Sequence, residues 1–420
     1  MTSTTTTVKP SLRRNRDFVT LWSGQVVSTL GTRISATAMP LLVLSRTGSA
    51  ADAGLVAAAG TVPFLVAQLP AGPLVDRWNR RRILLISEAA AGLALATVPI
   101  ALWLDVLTVA QLVVVTFAQG LCSVFFGLAE TAALPTIVPP ALLPAALARN
   151  DARGRGAALA GGPLGGLLFG VDRALPFLTD AISYAAAAIA LLFVRKDLRS
   201  EATAPAEPLW RATATGLRWI WRHPLIRTAI LLIAASNLVF QALVLVIVVL
   251  AQRHGATAGG IGAMLGIYSG GGLLGALAAS RLYRYFTPKT VIIGVNWYWA
   301  ALLPLFLLTT NPLRIGMIGA AGAFIGPMWN VVIGSYTALL VPNELRGRVS
   351  SAAMTLSWGV MPIGSLGAGL MLTTVGPTGA VGVLVVIMFI TAVAGTISPA
   401  IRHAPPLPAD DPPVQDHSQP

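Results

Sequence analysis

Charge is scarce in this chain. Asp, Glu, Lys and Arg make up only 11% of its 420 residues, against 55% hydrophobic residues. No water-soluble globular domain spreads its charges so thinly, so a soluble fold is excluded. The single cysteine, Cys122, sits inside an apolar run, which leaves no material for a disulfide framework or a thiolate metal cluster. The four histidines, His223, His254, His403 and His417, fall in polar stretches, and no two carboxylates share one apolar run. An enzyme acting inside a membrane would therefore lack both metal ligands and a nucleophile with its base, and neither a metal nor a cofactor is expected. Strict apolar–polar alternation is missing as well, which excludes a β-barrel. Met1 to Asp17 is basic but leads to no short apolar core with a cleavage site, so the first apolar run reads as a retained span.

What the chain does have is continuous apolar runs, near 18–44, 53–75, 82–103, 108–135, 156–171, 175–194, 226–251, 258–280, 289–309, 313–340, 349–373 and 377–400. At roughly 20 residues per crossing these predict an all-α integral membrane protein of twelve transmembrane helices. The net charge of +13 would suit nucleic acid if it were gathered on a wet surface with stacking aromatics. Instead, 24 of the 29 Lys and Arg residues fall in loops and tails of one side and four on the other, while Arg33 lies inside a span. This asymmetry puts both termini in the cytoplasm, with a bilayer and not nucleic acid as the chain's partner. The expected layout is a tail (1–17), a six-helix bundle (18–194), a linker with an interfacial helix (195–225), a second six-helix bundle (226–400) and a disordered tail (401–420).

The two bundles repeat. A shift of 204 sets Ala71–Arg77 against Gly275–Arg281, and a shift of 203 sets Val138-Pro139 against Val341-Pro342. The duplication predicts pseudo-symmetric halves with a site between them. Arg33 is costly inside a span unless it meets water or a partner. Gln25, Thr29 and Arg33 recur every four residues and share a face, and the repeat maps Arg33 onto Asn237 and Thr37 onto Gln241. These five positions, Gln25, Thr29, Arg33, Asn237 and Gln241, are the candidate cavity wall. The alternative is that Arg33 snorkels outward or pairs with Asp180. Trp329, Trp358 and Tyr268 either line the cavity or, as aromatics inside bundles usually do, pack.

Gly72-Pro-Leu-Val-Asp76-Arg77-Trp-Asn79-Arg80-Arg81-Arg82-Ile-Leu-Leu85 resembles the signature loop of the major facilitator superfamily, with Asn79 where glycine is usual; asparagine tolerates the left-handed turn that glycine would provide. Gly161-Gly162-Pro163-Leu164-Gly165-Gly166 resembles the antiporter signature of that superfamily. Gly216–Arg227, Val341–Val349 and Phe177–Ser183 are similar to a bacterial exporter subgroup that includes enterobactin-type siderophore exporters and macrolide-efflux-like proteins. The resemblance implies a secondary transporter working by alternating access as a monomer, exporting a siderophore, macrolide or other drug-like small molecule against proton entry. It also implies a conformational gate of Asp76, Arg77, Arg80 and Glu130, with Asp76 near the start of the eleventh span around Ser350. The antiporter-type residues would be Gly162, Pro163, Gly165 and Gly166, and the acids able to carry a coupling proton Asp180 and Glu88. Many members of the subgroup carry an acid where Thr32 stands here, which weakens coupling through the first span. Ser280, in place of an acid in the second signature, is compatible with a transport-inactive sensor or scaffold of the same fold.

Overall fold

The computed structural model describes residues 11–198, 209–282, 285–342 and 345–405. Residues 1–10, 199–208 of the linker and 406–420 of the expected disordered tail lie outside the described residues. Helices begin where a side chain can close the free N–H groups of a first turn. Asn15 accepts from the Phe18 N–H at 3.1 Å to open α1 (Arg16–Thr47). Thr108 opens α5 (Val109–Ile137) on the Gln111 N–H at 3.2 Å, and Asn311 opens α12 (Pro312–Leu340) on the Leu313 N–H at 2.9 Å. Asn79 opens α4 (Arg80–Trp103), accepting from the N–H groups of Arg81 and Arg82 at 3.0 and 3.4 Å. Its φ is −67°, so the residue is not in the left-handed turn expected of it. Its value is the cap, which a glycine could not supply.

Two stretches break mid-way, each four residues before a proline whose ring excludes the carbonyl it would bond. Pro70 separates α2 (Ala50–Val66) from α3 (Gln68–Arg77), bent by 57°. Pro362 separates α13 (Arg346–Trp358) from α14 (Met361–Thr374). The breaks meet. The Phe64 and Trp358 rings lie 5.8 Å apart, and a Cβ built on Gly359 would come within 2.8 Å of Leu65 Cδ1.

The remaining helices are α6 (Leu143–Val171), α7 (Leu175–Leu192), α8 (Leu209–Arg222), α9 (Pro224–Arg253), α10 (Ala258–Leu282), α11 (Pro288–Leu302), α15 (Gly376–Ile397) and the short α16 (Pro399–Arg402). Among the described residues ten helices are long and apolar enough to span a membrane, eleven when α2 and α3 count as one. The first half of α6 carries Arg149, Asp151, Arg153 and Arg155, and its second half is the apolar run 156–171, which is consistent with twelve crossings. The chain is a multi-pass membrane protein.

The packing repeats between the halves. In the first, α1 packs on α6 and α7, α2 on α5, and α4 on α5 and α7. In the second, α9 packs on α14 and α15, α10 on α12, and α11 on α12 and α15. The halves meet chiefly through α2 against α14 and α6 against α10, which exchange under the same two-fold. The contacts across the halves thus fall on α1, α2, α3 and α6 of the first half and on α9, α10, α13 and α14 of the second. The expected interfacial helix α8 docks on α13. A Cβ on Gly216 would fall 2.4 Å from the Arg348 carbonyl oxygen, and Ile220 is fully buried while Arg218 and Trp221 stay exposed.

Candidate functional site

Glycines hold the two contacts between the halves, and they do so symmetrically. A Cβ on Gly262 of α10 would meet the Gly162 carbonyl oxygen at 2.5 Å and Gly166 Cα at 2.9 Å. A Cβ on Gly54 of α2 would meet the Ser365 carbonyl oxygen at 2.7 Å and Gly369 Cα at 2.9 Å. Ser365 and Gly369 lie 203 residues beyond Gly162 and Gly166, the offset already visible in the sequence. Both crossings sit at the end of the bundle that carries the α1–α2 and α9–α10 loops. The Gly161–Gly166 stretch divides its work by helix face. Gly162 and Gly166 touch α10, Pro163 packs on Gly266, and Gly161 and Gly165 admit α1. The resemblance singles out Gly162, Pro163, Gly165 and Gly166 as a motif and not as a crossing; small residues spaced by four and related by the repeat are the signal for both crossings.

The faces of α1 and α9 that the repeat equates both meet a glycine, one turn out of register, since Gly364 lies 203 residues beyond Gly161 and not beyond Gly165. A Cβ on Gly165 would meet the Ile34 carbonyl oxygen at 2.6 Å and Thr37 Cβ at 2.9 Å; on Gly364 it would meet the Leu238 carbonyl oxygen at 2.6 Å and Gln241 Cβ at 3.2 Å. Side-chain roles differ. Arg33 is exposed, on the side of α1 opposite Gly31, which packs on Ser183 and Asp180 of α7. Gln25 is buried and donates to Glu88 at 2.7 Å, so it is not an open wall position here. Thr29 is half-buried and bonds the Gln25 carbonyl at 2.6 Å. Asn237 donates to the Ser357 carbonyl at 2.9 Å, closing a peptide group freed by the α13–α14 break, and Gln241 donates to Ser365 Oγ at 3.0 Å. Both therefore brace α13–α14 more than they line open space.

The open faces belong to α5 and α12. Ser123, Gly127, Thr131 and Pro135 form an exposed stripe along α5; 203 positions on, Asn330, Gly334 and Ala338 are exposed along α12. A Cβ built on Gly127, Gly326 or Gly334 meets nothing within 4 Å. Helix faces turned to lipid carry large apolar side chains, as Ile86, Leu93 and Ile100 do on α4. Stripes of small and polar residues such as these suit water and not lipid. Sequence reading missed Asn330 and both stripes. Among the aromatics, Trp329 is buried, Tyr268 packs on Gly319, and Trp358 is 43% exposed beside Phe64.

Two acids lie behind α1, each among neutral donors. Glu88 accepts from Gln25 and from Ser28 at 3.1 Å; Asp180 accepts from Ser35 and from Ser183 at 3.2 Å. Glu88 thus faces α1 and not the loop arginines, and Asp180 is held by serines and not by Arg33. Thr32 turns to the Tyr184 hydroxyl at 3.1 Å.

The expected Asp76–Arg80–Glu130 cluster is not assembled. Glu130 is gripped at two points by Arg153 of α6, at 2.7 and 3.0 Å, and Arg80 donates to the Ala132 carbonyl at 3.0 Å. The guanidinium of Arg153 closes a bidentate pair with this carboxylate, while that of Arg80, an equal fork, is taken up by the backbone. Asp76 and Arg77 are exposed at the end of α3, which touches α13, and Asp76 makes no ion pair among the described residues.

This geometry is matched by known proteins. The model of the Major Facilitator Superfamily matches residues 21–364, most of the chain. The chain belongs to the major facilitator superfamily. The multidrug efflux pump Tap of Mycolicibacterium fortuitum is 30% identical over 354 residues, covering 81% of this chain and 85% of Tap. Macrolide efflux protein A of Streptococcus pyogenes is 32% identical over 125 residues, 29% of this chain and 30% of that protein. The crystal structure of the nucleoside transporter NupG (D323A mutant) superposes with a TM-score of 0.74 at 14% identity, covering 92% of this chain and 99% of that one, which shows the shared fold. As a major facilitator protein with relatives of this kind, the chain is a transporter and not an enzyme.

Proposed function

We propose that the chain is a drug-type efflux pump that exports a small molecule from the cytoplasm in exchange for protons, from a bacterial plasma membrane with both termini inside. The observation that carries this reading is the pair of two-fold-related glycine crossings at one end, with exposed stripes of small and polar residues on α5 and α12. Two rigid halves joined this way rock about a central space that faces one side at a time. Close backbone approach at the loop end makes this the state open toward the termini. The similarity to Tap supports export of drug-like cargo.

In the opposite state the terminus end closes. Asp76, exposed beside α13 in this state, then meets the positive N-terminal end of that helix, an attraction worth roughly 0.3–1 kcal/mol. The Glu130–Arg153 pair holds α5 to α6 so that the half moves as one body. Glu88 carries the coupling proton: it is 3% exposed, faces neutral donors, and sits on the moving layer behind α1. Asp180, wholly buried between serines, fastens α7 to α1.

Inside-out vesicles with an imposed pH gradient test this, using uptake of macrolides, siderophores and lipophilic dyes. Gradient-driven accumulation by the wild type is expected. Glu88→Gln should lose it while keeping cargo exchange, and Asp76→Asn should slow both. Accumulation indifferent to pH removes proton coupling, and no movement of any cargo favours a sensor or scaffold.

A further inference from the structure

Away from the helix ends, the exposed and unpaired charge among the described residues has one sign. In α9–α15 every described Asp, Glu, Lys and Arg lies within four residues of a helix end, so the second half offers only neutral polar groups at depth, such as Asn330. In the first half, Glu88 and Asp180 are 3% and 0% exposed and are held behind α1. Glu130 and Arg153 cancel each other, as do Asp151 and Arg155. Arg33 remains, fourteen residues from the far end of α1 (Arg16–Thr47), exposed and without an ion-pair partner among the described residues.

A guanidinium at that depth is expensive to keep unless something anionic visits it. Its Cβ is wedged against Gly161, which fixes where the head group can reach, and α1 touches helices of both halves, α2, α5, α6 and α7 of its own and α10 of the other. Resting on the transporter reading, we propose that the cargo carries an acidic group, a carboxylate or ionised phenol, that docks on Arg33. A planar guanidinium offers two parallel N–H donors to a carboxylate, which a lysine offers only as a point charge.

Two dyes on one xanthene scaffold separate the charges: fluorescein, an anion at pH 7.4, and rhodamine 123, a cation whose carboxyl is esterified. Binding to the detergent-solubilised full chain is followed by dye anisotropy, and uptake in inside-out vesicles. The wild type should bind fluorescein more tightly than rhodamine 123. Arg33→Ala should weaken fluorescein by about tenfold or more, Arg33→Lys by less, and Arg33→Glu should reverse the order. Should Arg33→Ala fail to fold, Arg33→Gln and Arg33→Lys carry the comparison. Tighter binding of rhodamine 123 by the wild type, no binding of fluorescein, or a fluorescein affinity unchanged in the Arg33 variants overturns the proposal. Uptake of the cation alone would sink the charge inference and keep the transporter. Fluorescein binding lost with Arg33, but with no uptake of any cargo, would keep the site and sink transport.

Discussion

Gly54 and Gly369 meet backbone to backbone across the two halves: a Cβ on Gly369 would lie 3.2 Å from Gly54 Cα, and a Cβ on Gly54 would lie 2.9 Å from Gly369 Cα. Its two-fold partner, Gly262 on Gly166, is as tight, with a Gly262 Cβ 2.9 Å from Gly166 Cα. A side chain at either place has nowhere to go, because the obstacle is main chain and cannot rotate aside.

Gly54→Leu and Gly262→Leu should therefore hold the loop end apart. Spin labels placed on the α1–α2 and α9–α10 loops should report longer distances, and transport should fall by at least about tenfold. Unchanged distances in both variants would mean that these crossings are not the seal.

The Glu130–Arg153 pair is only 12% and 11% exposed, so removing one member strands the other charge. Arg153→Ala should lower the unfolding free energy by roughly 3 kcal/mol, and the double variant Arg153→Ala/Glu130→Ala should recover part of it. Thermal unfolding of the solubilised protein checks this. A double variant less stable than both single ones would show that packing, and not charge, holds α5 to α6.

Asn237→Ala leaves the Ser357 carbonyl without its donor at the α13–α14 break. The expected loss is about 1–2 kcal/mol of stability, read from the same melts, with Asn237→Asp also destabilised because a carboxylate cannot donate. An Asn237→Asp variant as stable as the wild type would remove the bracing role.

Much of the architecture was legible before any coordinates. Apolar runs separated by arginines give spans because lipid accepts little else, and the repeat at offsets of 203 and 204 anticipates that α9 packs on α14 as α1 packs on α6. Side-chain partners were not legible. Glu130 and Arg80 are long enough to reach several neighbours, and which one they reach depends on how α5 and α6 approach at residues 23 apart in sequence. Gln25 shares a face with Arg33 but turns sideways to Glu88, since a buried carboxyl takes whatever donor is nearest. Asn79 was read through the glycine it replaces, and its own chemistry as a cap was overlooked. The stripes of α5 and α12 escaped notice because glycine, serine and threonine spaced by four read equally as helix contact or as the wall of a wet space.

Water access to those stripes tests the account most directly. In a Cys122→Ser background, single cysteines at Ser123, Gly127, Thr131, Asn330 and Gly334 are exposed to a membrane-impermeant thiol reagent in inside-out vesicles. Labelling at all five, with protection at the buried neighbours Val124 and Val332, is the predicted result. Labelling only by lipid-soluble reagents would place these faces against the bilayer and contradict the account.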